Sequence, residues 1–316
     1  MSDQRTKLWI GVGAFMVLGT PPAMATDGVP AAPRTHASSY LLASADTGGE
    51  GGEAAESEAT RAGADAGMEG GEGGEGAFSP MGVFDSGAGG EGGEAGEGSG
   101  GPDAARSPGV YYTDLALALG HLRVARDLYR AGQGDVAAMH LAHPAAEILP
   151  QLEEALEQRG LEDVAERIRD LARIAGTRPS WSDVESDYER TRDAIAHAMS
   201  DVDASRRHDP TFISRALTAL LLQARHEYGD SIDDGHFEHG HEYQDGYGMV
   251  HVGRELLEQH ADVLRAADAS AYATLVRQYE SAMEAWPSAT VPAQPALSVS
   301  ELSGRVSAFE FTANRF

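Results

Sequence analysis

Between His226 and His251 the chain reads HEYGDSIDDGHFEHGHEYQDGYGMVH, five histidines and seven carboxylates with no lysine or arginine among them. Imidazole nitrogen and carboxylate oxygen are ligands shared by iron, copper, zinc and manganese, so coordination of a cation is the first chemistry to weigh. His241 and Asp245 stand one helical turn apart, with Glu242 beside the first of them. A second stretch, His140-Leu-Ala-His143-Pro-Ala-Ala-Glu147, carries donors at i, i+3 and i+7, positions that share one helix face. His121 and His226, on two further segments, are the remaining candidates to complete a mixed His/carboxylate sphere. The chain has no cysteine, which excludes thiolate ligands and Cys nucleophiles. It also lacks HExxH, GxSxG and a phosphate-binding loop, so the reading leans away from an enzyme.

Helices must position these donors, because the apolar residues recur at helical spacing. Leu115, Leu119, Leu122, Ala125 and Tyr129 share a face of a first helix running from Thr113 to a stop at Gly132. A second runs from Asp135 to Gly160 with Pro144 and Pro150 inside it. Proline removes an intrahelical hydrogen bond and clashes one turn back, so a kink is expected near His143. Leu161 to Ala175 forms a third, and Ser182 to Glu185 (SDVE) is a capping box that opens a fourth. Asp209-Pro210 starts a fifth, the most apolar and the expected centre of the bundle. After the His-rich stretch come a sixth from Glu242 to Ala267 and a seventh from Ser270 to Trp286. The expected fold class is all-α: an antiparallel helical bundle of about seven helices over residues 110–286, with a loose Pro- and Ser-rich tail over 287–316. Tyr129 precedes His143 by the interval that separates Tyr228 from Glu242, and the same offset lays Asp135 on Asp234 and His140 on His239. That repetition suggests a duplication.

Residues 1–25 have the layout of a signal peptide: Arg5 and Lys7, an apolar run from Leu8 to Leu18, then Ala23-Met24-Ala25. The run is too short to span a bilayer, which takes about 20 apolar residues, so no membrane span is expected in the mature form and a periplasmic location is. Residues 26–109 repeat GGE triplets and offer little apolar surface to bury, the composition of a disordered acidic Gly/Glu-rich arm. Tyr40 to Leu42 and Phe78 to Phe84 interrupt it as sticky segments. The formal charge of −26, from 50 acidic against 24 basic side chains, repels nucleic acid and concentrates cations.

The pairing of LYRAGQGDVAAMHLAHPAAE with EYGDSIDDGHFEHGHEYQDGYG resembles a group of exported all-helical proteins with GEGGEG arms. It also resembles, distantly, the periplasmic helical domains of high-affinity iron permeases and the imelysin-like iron-uptake proteins. The transmembrane Arg-Glu-x-x-Glu helices of the permeases are absent. So is the imelysin Gly-x-His-x-x-Glu pattern, since Val124 stands where Gly120-His121 would need the glutamate. The resemblance implies an iron-uptake setting. The leading expectation is a periplasmic protein that sequesters or delivers iron or copper, a divalent or trivalent ion, with a periplasmic or membrane transport partner. The alternative is a non-enzymatic scaffold that would show an exposed apolar patch near Trp181 or Trp286. For the metal reading, the segments around Glu147 and Glu242 must meet in space.

Overall fold

A computed structural model describes residues 80–87, 103–177 and 179–316. The leader expected over 1–25 and most of the arm expected over 26–109 lie outside the described residues. The expected all-helical class is what forms, and it begins earlier than Thr113. Ser107 caps helix α1 (Pro108–Arg130) by accepting from the Val110 N–H, and Pro108 occupies the first turn, where no backbone donor is needed. Thr113 is buried inside the helix.

Helix α2 (Gly134–His143) continues through one π turn, Pro144–Ile148, into α3 (Leu149–Glu157). This turn is the form that the expected kink takes. Pro144 has no N–H to donate one turn back, and the chain widens until Leu149 N–H reaches Pro144 O, an i→i+5 bond. Helix α4 (Glu162–Ala175), α5 (Trp181–Ser200) and the short α6 (Ala204–Arg207) follow. The capping box of α5 pairs Ser180 with Asp183, slightly ahead of the expected Ser182 and Glu185. Helix α7 (Pro210–Asp230) then leads into a two-residue-loop hairpin of β1 (Ile232–Asp233) and β2 (His236–Phe237). Asp234 and Gly235 at its tip both have positive φ, 47° and 82°, as a type I′ turn requires. Next come α8 (Gly240–Gln259), α9 (Ala261–Ala267) and α10 (Ala269–Met283). The sixth helix expected from Glu242 to Ala267 is therefore broken at His260.

The tail is the clearest departure from expectation. Instead of a loose segment, Val299–Ala313 forms helix α11, opened by a capping box in which Ser298 and Glu301 bond each other's backbone N–H. Leu302, Val306 and Phe309 bury against α7 and α10, while Phe311 is 79% exposed. The short segment 80–87 is a 3-10 turn whose Met81 is buried and whose Phe84 ring lies 6.4 Å from Phe212. The scaffold reading finds no patch at its expected places. Trp286 is buried and donates to Tyr243 O, and Trp181 packs on Tyr129 and Tyr188.

Each half repeats a set of contacts. Pro108 and Pro210 both open a helix behind a side-chain cap. Tyr129 donates to Pro179 O, two residues ahead of α5, and Tyr228 donates to Leu297 O, two residues ahead of α11. Capping boxes at Ser180 and Ser298 start those two helices.

Between the halves, α1 runs antiparallel to α8, and α1 is the central helix rather than α7: every residue from Gly109 to Ala118 is buried. The crossing of α1 and α8 is made by two glycines. A Cβ on Gly248 would lie 2.1 Å from the Gly120 carbonyl oxygen, so only bare backbone fits. Gly248→Ala is expected to push the helices apart and lower stability by about 1–3 kcal/mol, roughly 2–4 °C in Tm per kcal/mol for a domain of this size. Gly304→Ala, where a Cβ meets nothing within 4 Å, should leave Tm level or raise it. Thermal unfolding of the two variants makes the comparison.

Candidate metal centre

The α1–α8 crossing sets His121 beside Asp245. Helix α2, lying on α1, adds His140 and His143 from the turn just before the π segment. One ligand atom from each of the four lies within 4.8 Å of all the others. Two imidazoles meet the same carboxylate oxygen: His121 Nδ1 is 2.7 Å and His140 Nδ1 2.8 Å from Asp245 Oδ1, while His143 Nδ1 is 3.4 Å from Oδ2. Despite these distances, the buried Nδ1 atoms of His121 and His143 make no hydrogen bond. A close ion pair without a directed hydrogen bond leaves part of the burial cost uncompensated, and three nitrogens with a carboxylate converging on one point match the chemistry of a cation's donor set.

His140 supports that fit from its far side. Its Nε2 lies 3.0 Å from Oε1 of the buried Gln244. A histidine that ligates through one ring nitrogen characteristically donates its other N–H to a nearby oxygen, which fixes the tautomer and the ring plane. Gln244 is placed to be that acceptor.

Burial alone would push the Asp245 carboxyl up, but His121, His140 and His143 outweigh it and hold the group well below the ordinary carboxylate range. Conversely, His143 loses to burial but gains more from Asp245, Glu147 and Glu242, and its pKa rises. The two shifts describe one ion-paired cluster.

This cluster forms one wall of a cavity of about 700 Å³. Glu147 sits on its rim, 3.8 Å from both His121 Nε2 and His143 Nδ1 across the π turn. His241 and Glu242, 3.4 Å apart at the first turn of α8, line the same space, so the two segments singled out in the sequence meet. His226 is placed elsewhere: it faces Asp230 at 3.4 Å on α7 and is not on the cavity wall. Of the aligned pair, His140 is in the cluster, whereas His239 is exposed at the start of α8.

Sequence reasoning passed over three residues here. Glu227 follows His226 on α7, and its carboxyl meets that of Glu242. Burial and that hydrogen bond, with Asp245 nearby and Gln223 opposing, push its pKa up to about 8. Asp114, two turns before His121 on the same face of α1, lines the cavity with its Oδ2 unpartnered, and burial pushes it up to about 7. Gln244 is the third. A carboxylate inside an otherwise apolar helix face, as at Asp114, was the available signal. Taken together, α1 gives His121, with Asp114 two turns before it, and α7 gives Glu227, with Gln223 one turn before it. Helices α2 and α8 give an i, i+3 pair each, His140/His143 and Glu242/Asp245. Carboxylate-bridged dimetal bundles distribute their ligands in this way, here with histidine on one half.

Residues 203–314 match the family described as the iron permease-associated 4-helix bundle domain. No curated protein and no solved structure matches the chain. The resemblance to the helical domains of iron permeases therefore holds over α6 to α11, the tail helix included. Glu227, Glu242 and Asp245 fall inside the matched stretch. The three clustered histidines and Glu147 come from the helices before it.

Between the ordinary carboxylate range and about pH 8, the folded metal-free protein keeps a proton on Glu227 that the unfolded chain has lost. Stability must fall as pH rises through that window, and Asp114 adds to the same trend. Glu227→Gln is expected to leave metal-free stability unchanged at about pH 4 and to raise it above wild type at about pH 9, as read from urea midpoints.

Proposed function

We propose that this chain is an exported iron-binding protein of the periplasm, one that captures the ion from solution and passes it to a transport partner. The observation that carries the reading is the His121/His140/His143/Asp245 cluster at the base of an acid-rimmed cavity. The iron permease-associated bundle matched over 203–314 supports iron as the cargo and a permease as the kind of partner. Among the described residues, no helix is long and apolar enough to cross a membrane.

The two kinds of donor have different tasks. Glu147, Glu242 and His241 are partly exposed at the mouth, where they meet a hydrated cation first and, in a chain of net charge −26, raise its local concentration. Asp245 and the imidazoles lie deeper. They replace the hydration shell and give up the proton and hydrogen-bond contacts that hold the cluster without an ion. Coordination requires neutral imidazole, so loading weakens as pH falls through the raised titration range of His143.

Copper is the second reading, favoured by the thioethers of Met81 and Met249 on the cavity wall, soft donors that suit Cu(I). Against it stand the oxygen donors Asp245, Glu147, Glu227 and Glu242, which suit the harder iron ions.

Metal analysis and titration calorimetry on the full chain against iron(II), iron(III), copper and zinc decide between them. Tight stoichiometric binding is expected for iron. Loss of a residue that merely orients a ligand typically weakens affinity 10–100-fold, so Asp245→Asn and His140→Ala should weaken it by more than about 100-fold. His226→Ala should leave it unchanged. Iron binding unaffected by Asp245→Asn would refute the site, and a stoichiometric preference for Cu(I) would select the second reading.

A further inference from the structure

Helices α1 and α8 present a second cavity on another side of their crossing. It has a volume of about 270 Å³ and is closed by α5 and the short α6. Its wall is basic: Arg123, Arg126, Arg192 and Arg207 converge there against one carboxylate, Glu255. In a chain whose overall charge is −26, four guanidinium groups on one small cavity call for a physical reason.

Three of the four are already engaged at the edges. Arg123 bonds Asp127 at 2.8 Å and reaches Glu255, and Arg126 lies 3.3 Å from Asp127. Arg192 pairs with Glu189 and with Asp193. Arg207 differs. Its Nε donates to Val202 O at 2.7 Å, and among the described residues no carboxylate pairs with it, which leaves the two terminal nitrogens to the cavity.

Beside Arg207 lie two buried polar side chains, Tyr112 and His260, joined through Tyr112 Oη and His260 Nε2 at 3.2 Å. Burial, with His208 and Arg207 nearby, lowers the pKa of the His260 imidazole. The remaining wall is mostly apolar, with Leu119, Tyr188, Met199, Val252 and Leu256 beside the polar Ser200 and Gln259.

We propose that this cavity binds a small organic carboxylate with an apolar body. The planar fork of Arg207 matches a carboxylate with two parallel hydrogen bonds, a geometry that an ammonium cannot provide. Tyr112, on the same wall, adds a third donor in the tautomer where His260 Nε2 carries the proton and donates to its hydroxyl. The body of the ligand covers the Leu119, Met199, Val252 and Leu256 surface, which a bare inorganic anion would leave unused. Ligand pockets commonly span about 300–1,000 Å³, so a volume just below that range takes an acid about the size of a single aromatic ring and excludes a nucleotide. The site uses none of the metal-cluster residues, and its fate is independent of the iron reading.

The test uses the full-length protein and three probes: benzoate, the isosteric neutral benzamide, and inorganic phosphate, each titrated by calorimetry or ligand-observed NMR. Benzoate is expected to bind at one site per chain, more tightly than benzamide or phosphate, and to weaken with added salt. Arg207→Ala should weaken benzoate by about tenfold or more, the scale of a lost charge-assisted pair, with Arg207→Lys recovering only part. Unchanged thermal unfolding and unchanged metal binding in Arg207→Ala would show that the fold is intact. The proposal is overturned by equal affinity for benzoate and benzamide, by phosphate outbinding benzoate, by no benzoate binding at millimolar concentration, or by an Arg207→Ala variant that binds as wild type does.

Discussion

A carboxylate as buried as Asp245 cannot keep its charge without partners, because transfer out of water costs far more than one contact returns. Three imidazoles surround it, and this requirement ties the architecture together. His121 arrives only because α1 and α8 cross at bare backbone, Gly120 against Gly248. His140 and His143 arrive only because α2 lies on α1 with its small Ala137 and Ala138 buried in the contact. Separating any one of these helices from the others would strand a charge.

The same arrangement brings four donor groups together at a cost in hydrogen bonding. Where two nitrogens crowd one carboxylate oxygen and two buried Nδ1 atoms make no hydrogen bond, the protein has traded hydrogen-bonding satisfaction for convergence of donors. Glu227, buried and hydrogen-bonded to Glu242, repeats the theme in the same cavity, its pKa pushed up to about 8. On the function proposed above, a cation entering the cavity displaces the Glu227 proton and relieves the crowding. The π turn at Pro144 belongs to this design: the wide turn lets His143 and Glu147 face the same ligand space without unwinding the helix.

Helices α1 and α8 serve two cavities of opposite charge. One presents Asp114, His121, Glu242 and Asp245, the other Arg123, Arg126 and Glu255. A single rigid crossing holds both, and the Tyr247 hydroxyl, which donates to Asp127 at 3.1 Å, links the α8 backbone near the metal cluster to the arginines of the second site.

Much of this was legible in the residues. Helical class, the helix starts at Asp209-Pro210 and close to Ser182, the break after His143 and the choice of His140, His143 and Asp245 all follow from local rules: apolar spacing, caps, proline and ligand chemistry act within a turn or two of chain. The tail helix was misjudged because Pro and Ser ahead of it masked the Ser298–Glu301 box. The convergence was not legible. Nothing in the spacing of α1, α2, α7 and α8 says that His121 rather than His226 meets Asp245, that Glu227 faces Glu242, or that Asp114 opens into the same cavity. Those facts depend on which faces of helices far apart in sequence turn toward one another, and burial of the whole core decides that at once. The sequence by itself determined the kinds of donor and the helices that carry them, and tertiary packing alone decided which donors converge.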